Sequence, residues 1–314
     1  MRRAATLIEL IFVLVIISFL AAATFKGMQA IKIRSYKAKE TTKLSLESQI
    51  VVNQISNYLQ NRVPSTVIGY DPASGNFEYI GDLTSSKPVL EWFGRANEAF
   101  IDGNYSGFAD MATLNSNTFK SQKSDGNELN QTTQKKFHIS DNIYNNKVVN
   151  LIFAGSFDRA ASDLNDYNNS FGWHGNASNN SFDFSMADDG NITINTSEDP
   201  KFIYEKYFIV DTAYAIARGE DIKQDADCIS KLTIHPKDIN NTLFLFSNYR
   251  PWRGETFCAD PNGNDQEGNV SILMQNITGF SFEEMDYTIR IMLDINKSIR
   301  GGSDIHFSKM KVMF

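Results

Sequence analysis

The hydrophobic pattern changes character twice along the chain. From Leu7 to Ala23 it is a nearly unbroken apolar run, LIELIFVLVIISFLAAA, preceded by Arg2 and Arg3 and carrying one carboxylate, Glu9, in its first turn. A bilayer core takes about 20 apolar residues as a helix, so this run spans one if its ends snorkel. From Leu44 the apolar positions become periodic: Leu44, Val51, Ile55, Tyr58 and Leu59 recur at helical spacing. No proline occurs before Pro64, and Gly27 is the only glycine before Gly69. A lone glycine costs only about 1 kcal/mol in a helix. The spacing therefore predicts one helix over residues 5–62, about 87 Å long at 1.5 Å per residue, stopped at Val63-Pro64. Its amphipathic half should pack against a sheet.

After Pro64 the period shortens towards two. Runs rich in β-branched and aromatic residues, separated by Gly, Asn, Asp and Pro, predict strands. They are Thr66–Tyr70, Phe77–Ile80, Val89–Phe93, Lys147–Phe153, Phe182–Met186, Asn191–Asn195, Tyr207–Ala217, Ile229–Ile234 and Thr242–Ser247. The last four are Ser271–Gln275, Gly279–Glu283, Tyr287–Ile295 and Ser308–Phe314. A helix followed by strands reads as α+β with antiparallel sheets. The tail from Val270 to Phe314 reads as a meander. Residues 103–196 are rich in Asn, Ser, Gly and Asp, and read as a large polar insertion or second lobe. Within them Ser121–Lys136 is polar throughout, the composition of a mobile segment. Aromatics from Phe153 to Phe184 show that part of this region folds. The loop Tyr249–Glu255 reads as a packed surface turn.

Length and composition of the first 23 residues leave two readings open: a membrane helix, or a secretory signal cut after Ala21-Ala22-Ala23. Glu9 bears on the choice. A carboxylate at the edge of a membrane helix is a candidate functional group, although in the headgroup region its cost is small. The stretch Ala4-Ala5-Thr6-Leu7-Ile8-Glu9-Leu10 resembles the class III signal of type IV pilins and type II secretion pseudopilins. The resemblance implies cleavage by a prepilin peptidase between Ala4 and Ala5, N-methylation at Ala5, and Glu9 as the glutamate at the fifth mature position. Ala4 stands where Gly is usual and Ala5 where Phe is usual. The match is specific over about 25 residues; beyond them it is architectural, closest to the J-type minor pseudopilins and W-type minor pilins, which also finish on sheet strands. Glu9 argues against the K-type subunit, whose family typically lacks that glutamate.

The organisation implied is a leader at 1–4, a transmembrane and filament-core helix at 5–25, an extended amphipathic helix at 26–63, and a β-rich globular domain at 64–314. By the same resemblance the chain sits in a bacterial inner membrane as a single pass, N-terminus cytoplasmic and body periplasmic, before entering a filament. Its partners are then other pilin or pseudopilin subunits, the prepilin peptidase and an assembly platform protein. In a helical filament the Ala5 amine and Glu9 would each be penalised alone in a low-dielectric core; pairing between neighbours neutralises both. The basic stretch Lys26, Lys32, Arg34, Lys37, Lys39 and Lys43 reads either as a solvated helix face or as a collar meeting headgroups or acidic neighbours. Because both flanks of the span are basic, charge alone does not set the orientation.

Composition narrows the classes. The 314 residues carry a formal charge of −7, and an acidic body argues against nucleic acid as a partner. The two cysteines, Cys228 and Cys258, would form a disulfide in an oxidising compartment; two unpaired buried thiols are the alternative. His138, His174, His235 and His306 are scattered, without metal-ligand spacing, and read as surface or packed residues. No phosphate-loop, dinucleotide, nucleophile-elbow or zinc-protease motif is present, so the expected function is non-enzymatic. Asp260, Asn262 and Asn264 place oxygens at alternate positions as a calcium loop does. However, Asp265 and Ser271 occupy the places of the glycine and the terminal glutamate of such a loop. A plain polar turn has the same composition, so no cofactor is expected and calcium is the one ion the sequence raises.

Eleven Asn-x-Ser/Thr tripeptides occur, and in seven the residue two before the asparagine is acidic: Asn104, Asn130, Asn168, Asn191, Asn240, Asn269 and Asn296. Acids make up 37 of 314 residues, so random placement gives about one such case in these sequons. The pattern resembles the extended acceptor of bacterial oligosaccharyltransferases. Clustering of Asp, Gly and Asn in turns is the alternative, and Asn296, in or beside a strand, is the poorest acceptor. Two functional classes follow. One is a minor pilin or pseudopilin at or near the tip of a filament. The other is a membrane-anchored adhesin or binding module using the same N-terminus.

Overall fold

A computed structural model describes residues 7–156, 167–195, 203–286, 288–299 and 304–313. Ala4 and Ala5 lie outside these residues. Helix α1 (Leu7–Gln60) is continuous over 54 residues, which is about 81 Å. Its last turn closes through Asn61 N–H to Tyr58 O and Arg62 N–H to Leu59 O, and Val63 N–H then donates to Phe93 O. Pro64 opens a 3-10 turn, so the chain leaves the helix where the sequence places its stop.

The two halves of α1 live in different surroundings. Leu44, Ser48, Val51, Val52, Ile55, Ser56 and Leu59 are buried. Upstream, the side chains from Leu7 to Phe25 are exposed on every face of the helix. This N-terminal half is long and apolar enough to cross a membrane.

The strands are β1 (Ile68–Asp71), β2 (Asn76–Tyr79), β3 (Val89–Arg95), β4 (Asp110–Asn115), β5 (Thr118–Lys120), β6 (Asn150–Phe153), β7 (Phe184–Met186), β8 (Asn191–Ile194) and β9 (Tyr207–Arg218). They continue with β10 (Thr242–Tyr249), β11 (Glu255–Phe257), β12 (Asp265–Glu267), β13 (Asn269–Gln275), β14 (Ile277–Met285), β15 (Thr288–Lys297) and β16 (Ile305–Met313). A seven-stranded antiparallel sheet runs β13-β10-β9-β3-β1-β2, with β6 also pairing to β9. The tail is an antiparallel meander only from Ile277, β14-β15-β16; β13, which the sequence places in the same meander, pairs instead with β10 at the edge of the large sheet. The fold is therefore α+β, a long apolar helix with antiparallel sheets.

Alternation along the central strands builds two cores. On one face of the large sheet, Leu90, Trp92, Ile216, Leu243 and Leu245 meet Leu44, Val51, Val52, Ile55 and Leu59 of α1, together with Ile289, Ile291, Leu293 and Ile295 of the meander. The helix is held at both ends of this contact. Lys297 Nζ lies 2.7 Å from Glu40 Oε2, and Arg95 Nη2 donates to Gln60 O at 3.2 Å. Gly94 lets the stack form, because a Cβ there would sit 2.5 Å from the Tyr214 ring, and Tyr214 packs between Tyr58 and Trp92. The opposite face, with Val89, Phe93, Ala213, Ala215, Phe244 and Phe246, is roofed by Phe171, Trp173 and Trp252 from loops and turns and by Phe257 from β11.

Between residues 97 and 195 the described chain folds around its own core, and Ser121–Lys136 is not the mobile segment its composition suggests. Helices α2 (Asn97–Ile101) and α3 (Gly126–Phe137) and the sheet β4-β5-β8-β7 enclose a third core of Phe119, Leu129, Ile143, Leu151, Phe153, Phe184 and Ile192. Ser121–Lys136 holds most of α3. Asp125 caps that helix, accepting from the N–H groups of Asn127 and Glu128, and a cap combined with one buried leucine is a weak apolar signal in sequence. Ile229–Ile234 is likewise not a strand; a short helix, α4 (Asp227–Ser230), occupies its start.

Cys228 and Cys258 are disulfide-bonded with their Cα atoms 6.3 Å apart. The closed loop of about 30 residues contributes about 4 kcal/mol in the chain-entropy account.

The division of α1 makes a testable statement about stability. A chain starting at Lys26 should be soluble and unfold cooperatively, because the apolar half contributes nothing to the core. In that chain Ile55→Ala should cost about 2 to 4 kcal/mol, while Leu46→Ala on the exposed face should stay within about 0.5 kcal/mol. Urea unfolding followed by circular dichroism measures both.

Candidate functional site

Among the described residues, two places stand out for chemistry beyond packing. The first is the exposed half of α1. Ser18 Oγ donates to Leu14 O at 2.7 Å and Thr24 Oγ1 to Leu20 O at 2.9 Å. The hydroxyls of this stretch are thus satisfied inside the helix, as a nonpolar medium requires. Glu9 lies in the first turn of the described helix. The basic residues follow the apolar run directly; Lys37 borders a shallow groove with Thr41, Ser45, Asp304 and Phe307, where the globular domain first meets the helix.

The second is a buried ionic cluster on the loop-roofed face of the large sheet. Glu91 alternates with Val89 and Phe93 on β3 and so points into an apolar core, where its side chain is 1% exposed. A carboxylate there must be paired and hydrogen-bonded. His174 meets it, with Nε2 2.9 Å from Glu91 Oε1. The other ring nitrogen, Nδ1, is 3.2 Å from Oδ2 of Asp260, which is fully buried. Tyr249 Oη donates to Glu91 Oε2 at 2.7 Å, and Tyr70 Oη donates to Asp260 Oδ1 at 2.9 Å. The Tyr70 ring stacks on the imidazole, with centroids 3.7 Å apart. His174 sits in the left-handed region at φ 50°, a conformation costing about 1 to 3 kcal/mol in a non-glycine residue. Gly172 at φ 78° precedes it, where a Cβ would lie 2.7 Å from Pro251 O.

The cluster ties together β1, β3, β10, the turn at Trp173–Gly175 and the loop after β11. Burial pushes the His174 imidazole towards neutrality, but Glu91 and Asp260 outweigh it and raise its pKa to about 9. The imidazolium at neutral pH is therefore a clamp whose two N–H groups each hold one carboxylate. The sequence gives no sign of this, because Glu91, His174 and Asp260 are far apart along the chain.

A related pairing fixes the second lobe. Lys136 on α3 lies 2.7 Å from Asp211 Oδ2 on β9 and 2.8 Å from Glu98 Oε2 on α2. Burial raises the Asp211 carboxyl to about 6, against the pull of Lys136.

Asp260 faces inward with both oxygens engaged; Asn262 N–H donates to Oδ1 at 3.0 Å, and Asn262 Nδ2 donates to Tyr70 Oη at 3.0 Å and to Pro72 O at 2.6 Å. Two of the three calcium-loop candidates, Asp260 and Asn262, are thus committed to the clamp, while Asn264 is exposed. Among the described residues no group of three or more His, Cys, Asp or Glu side chains is placed to hold a metal ion.

The sequons are dispersed over the surface and the interior. Asn104 is buried, and its Nδ2 donates to Glu128 O and Thr132 Oγ1. Asn130 is half-buried in α3 and accepts from Ile143 N–H. Asn168, Asn191, Asn240 and Asn269 are exposed. Comparison with protein-family models, curated proteins and solved structures finds no match.

The His174 clamp has a defined pH signature. Its pKa lies above the usual 6.5 in the folded state, so its stabilisation is complete below about pH 6.5 and disappears as pH rises through about 9. At 1.4 kcal/mol per unit this is on the order of 3 kcal/mol. Asp211, raised to about 6, also loses its proton above the lower pH, but it does so in both proteins and cancels in their comparison. Urea unfolding at pH 6 and pH 9.5 should show that loss in the wild type and its absence in His174→Gln. Equal slopes in the two proteins would remove the clamp from the account.

Proposed function

We propose that the chain is a minor pilin-like subunit, a pseudopilin, of a type II secretion or type IV pilus filament. In this reading it initiates or caps assembly at the tip and has no catalytic role. The observation that carries the proposal is the two-environment helix. One continuous rod buries its second half in its own domain and leaves the almost entirely apolar stretch from Leu7 to Phe25 uncovered, with one acid in the first turn. A plain anchor needs only the span. A rod continuing rigidly from the span into the domain core suits a subunit whose helices pack against one another once lifted out of lipid.

The peptidase would cut between Ala4 and Ala5, and the new Ala5 amine would be methylated. The subunit would then wait in the inner membrane, body periplasmic, until the platform protein and its ATPase extract it. Extraction exchanges lipid contacts for helix contacts, so apolar burial is nearly unchanged. Pairing of the Ala5 amine with a neighbour's Glu9 would set the stagger between rods. The lobe of residues 97–195 is then an elaboration on the subunit, consistent with a minor rather than a bulk component.

One observation favours the adhesin reading instead. Phe100, Ile101 and Phe108 are exposed on the second lobe, which begins where α1 ends and so leads away from the membrane-spanning half. Deleting the gene and assaying secretion, twitching and DNA uptake separately discriminates between the two, since loss of adhesion alone supports the second.

The filament reading makes a direct prediction for Glu9→Val. The variant should remain membrane-bound at wild-type level, because the span gains apolar length. Its recovery in sheared filaments should fall at least about tenfold, the loss of about 1.4 kcal/mol or more of pairing. Normal incorporation would count against the proposal.

A further inference from the structure

The acidic sequons supply a chemistry that the helix does not use, and the structure separates them. An oligosaccharyltransferase that reads an acid at −2 and a hydroxyl at +2 needs three side chains at once: the acid, the asparagine and the hydroxyl. In Asn104 and Asn130 the asparagine is held inside the fold. Ser170, two residues after Asn168, is buried and accepts from Asn180. Thr242, two after Asn240, is buried with its hydroxyl donated to Asp238 O at 2.7 Å. The Asn191 amide is bonded to its own acid, Asp189, at 2.6 Å, and β8 is paired on both sides. Asn296 lies on β15, also paired on both sides.

Asn269 differs on each count. Glu267, Asn269 and Ser271 are all exposed. They occupy the −2, 0 and +2 places of the acceptor where β12 leads through Gly268 into β13. Among the described residues none of the three has a side-chain hydrogen bond, and β13 is the outer strand of the seven-stranded sheet. Asn269 is its first residue, and Gly268 before it has φ 99°. The acceptor can therefore be bent into a transferase without breaking an interior strand. The disulfide fits a domain that meets the oxidising side of the membrane, where such a transfer takes place.

We propose that Asn269 is the acceptor of an N-linked oligosaccharide, with Glu267 and Ser271 as the residues the transferase reads. The donor class is a polyprenyl diphosphate-linked oligosaccharide. The Asn269 carboxamide nitrogen forms a bond to the anomeric carbon of the first sugar and loses a proton. The anomeric carbon–oxygen bond breaks, and the polyprenyl diphosphate leaves with the electron pair. No oxidant or reductant takes part. A glycan at this edge also covers the open hydrogen-bonding side of β13, a site where strands of separate molecules would otherwise join.

The test is mass spectrometry of full-length protein isolated from its native host, using the tryptic peptide that contains both Asn269 and Asn276. The proposal expects sugar oxonium ions and an added oligosaccharide mass on that peptide, localised to Asn269. Asn269→Gln should abolish the modification, and Glu267→Gln should lower occupancy at least tenfold. Both are surface changes, and an unchanged thermal melt confirms that each variant is folded. A bare wild-type peptide, a glycan on Asn276, or full occupancy in Glu267→Gln would each overturn the proposal. Filament incorporation is not read in this experiment, so its outcome is independent of the filament reading.

Discussion

The contact between the second half of α1 and the two antiparallel sheets is the constraint on which the other features depend. The buried row from Leu44 to Leu59 can be covered only if the meander folds back beside the large sheet and the helix lies against both. Ser48 and Ser56, small and buried, keep the helix close to its cover. Once that geometry is set, the helix cannot also bury its first half, because the domain ends near Glu40 and its partner Lys297. The apolar run must find another apolar medium, either lipid or other rods. The distribution of burial along one rigid element thus links the fold to the proposed assembly.

The opposite face of the large sheet solves a different problem. Among the described elements no long helix covers it; loops, the short α4 and β11 do so instead. Loops bring backbone polarity and few large apolar residues, so a roof made from them needs fasteners. The disulfide, the aromatic pairings of Phe93 with Trp173 and Trp252, and the Glu91–His174–Asp260 clamp supply them. Burying three ionisable groups costs several kcal/mol each if any is alone. Here the imidazolium satisfies both carboxylates, and two tyrosine hydroxyls complete their hydrogen bonding. The cluster is a structural joint, and its atoms are engaged with one another.

Legibility in the sequence followed the range of the interactions. The helix was readable because its signals are local: an apolar run, a 3.6-residue period, and Pro64 as a stop. The meander was readable because β15 and β16 alternate cleanly and pair with near neighbours. Ile229–Ile234 misled because its short apolar alternation lies beside the disulfide, where the chain turns into α4. α3 was missed because Gly126–Phe137 carries little apolar periodicity, and its stability comes from the Asp125 cap and from Lys136 reaching Asp211. The His174 clamp was invisible, since 83 residues separate His174 from Glu91 and 86 separate it from Asp260. Pairing at that distance depends on the finished sheet.

The central claim is that the apolar half of α1 is a trimmed assembly rod, and the state of its tip reports on it most directly. Intact-mass and N-terminal sequence analysis of the membrane-bound protein should find a chain beginning at a methylated Ala5. A chain beginning at Met1, or after the alanine triplet ending at Ala23, would make the segment an anchor or a discarded export signal and would contradict the account.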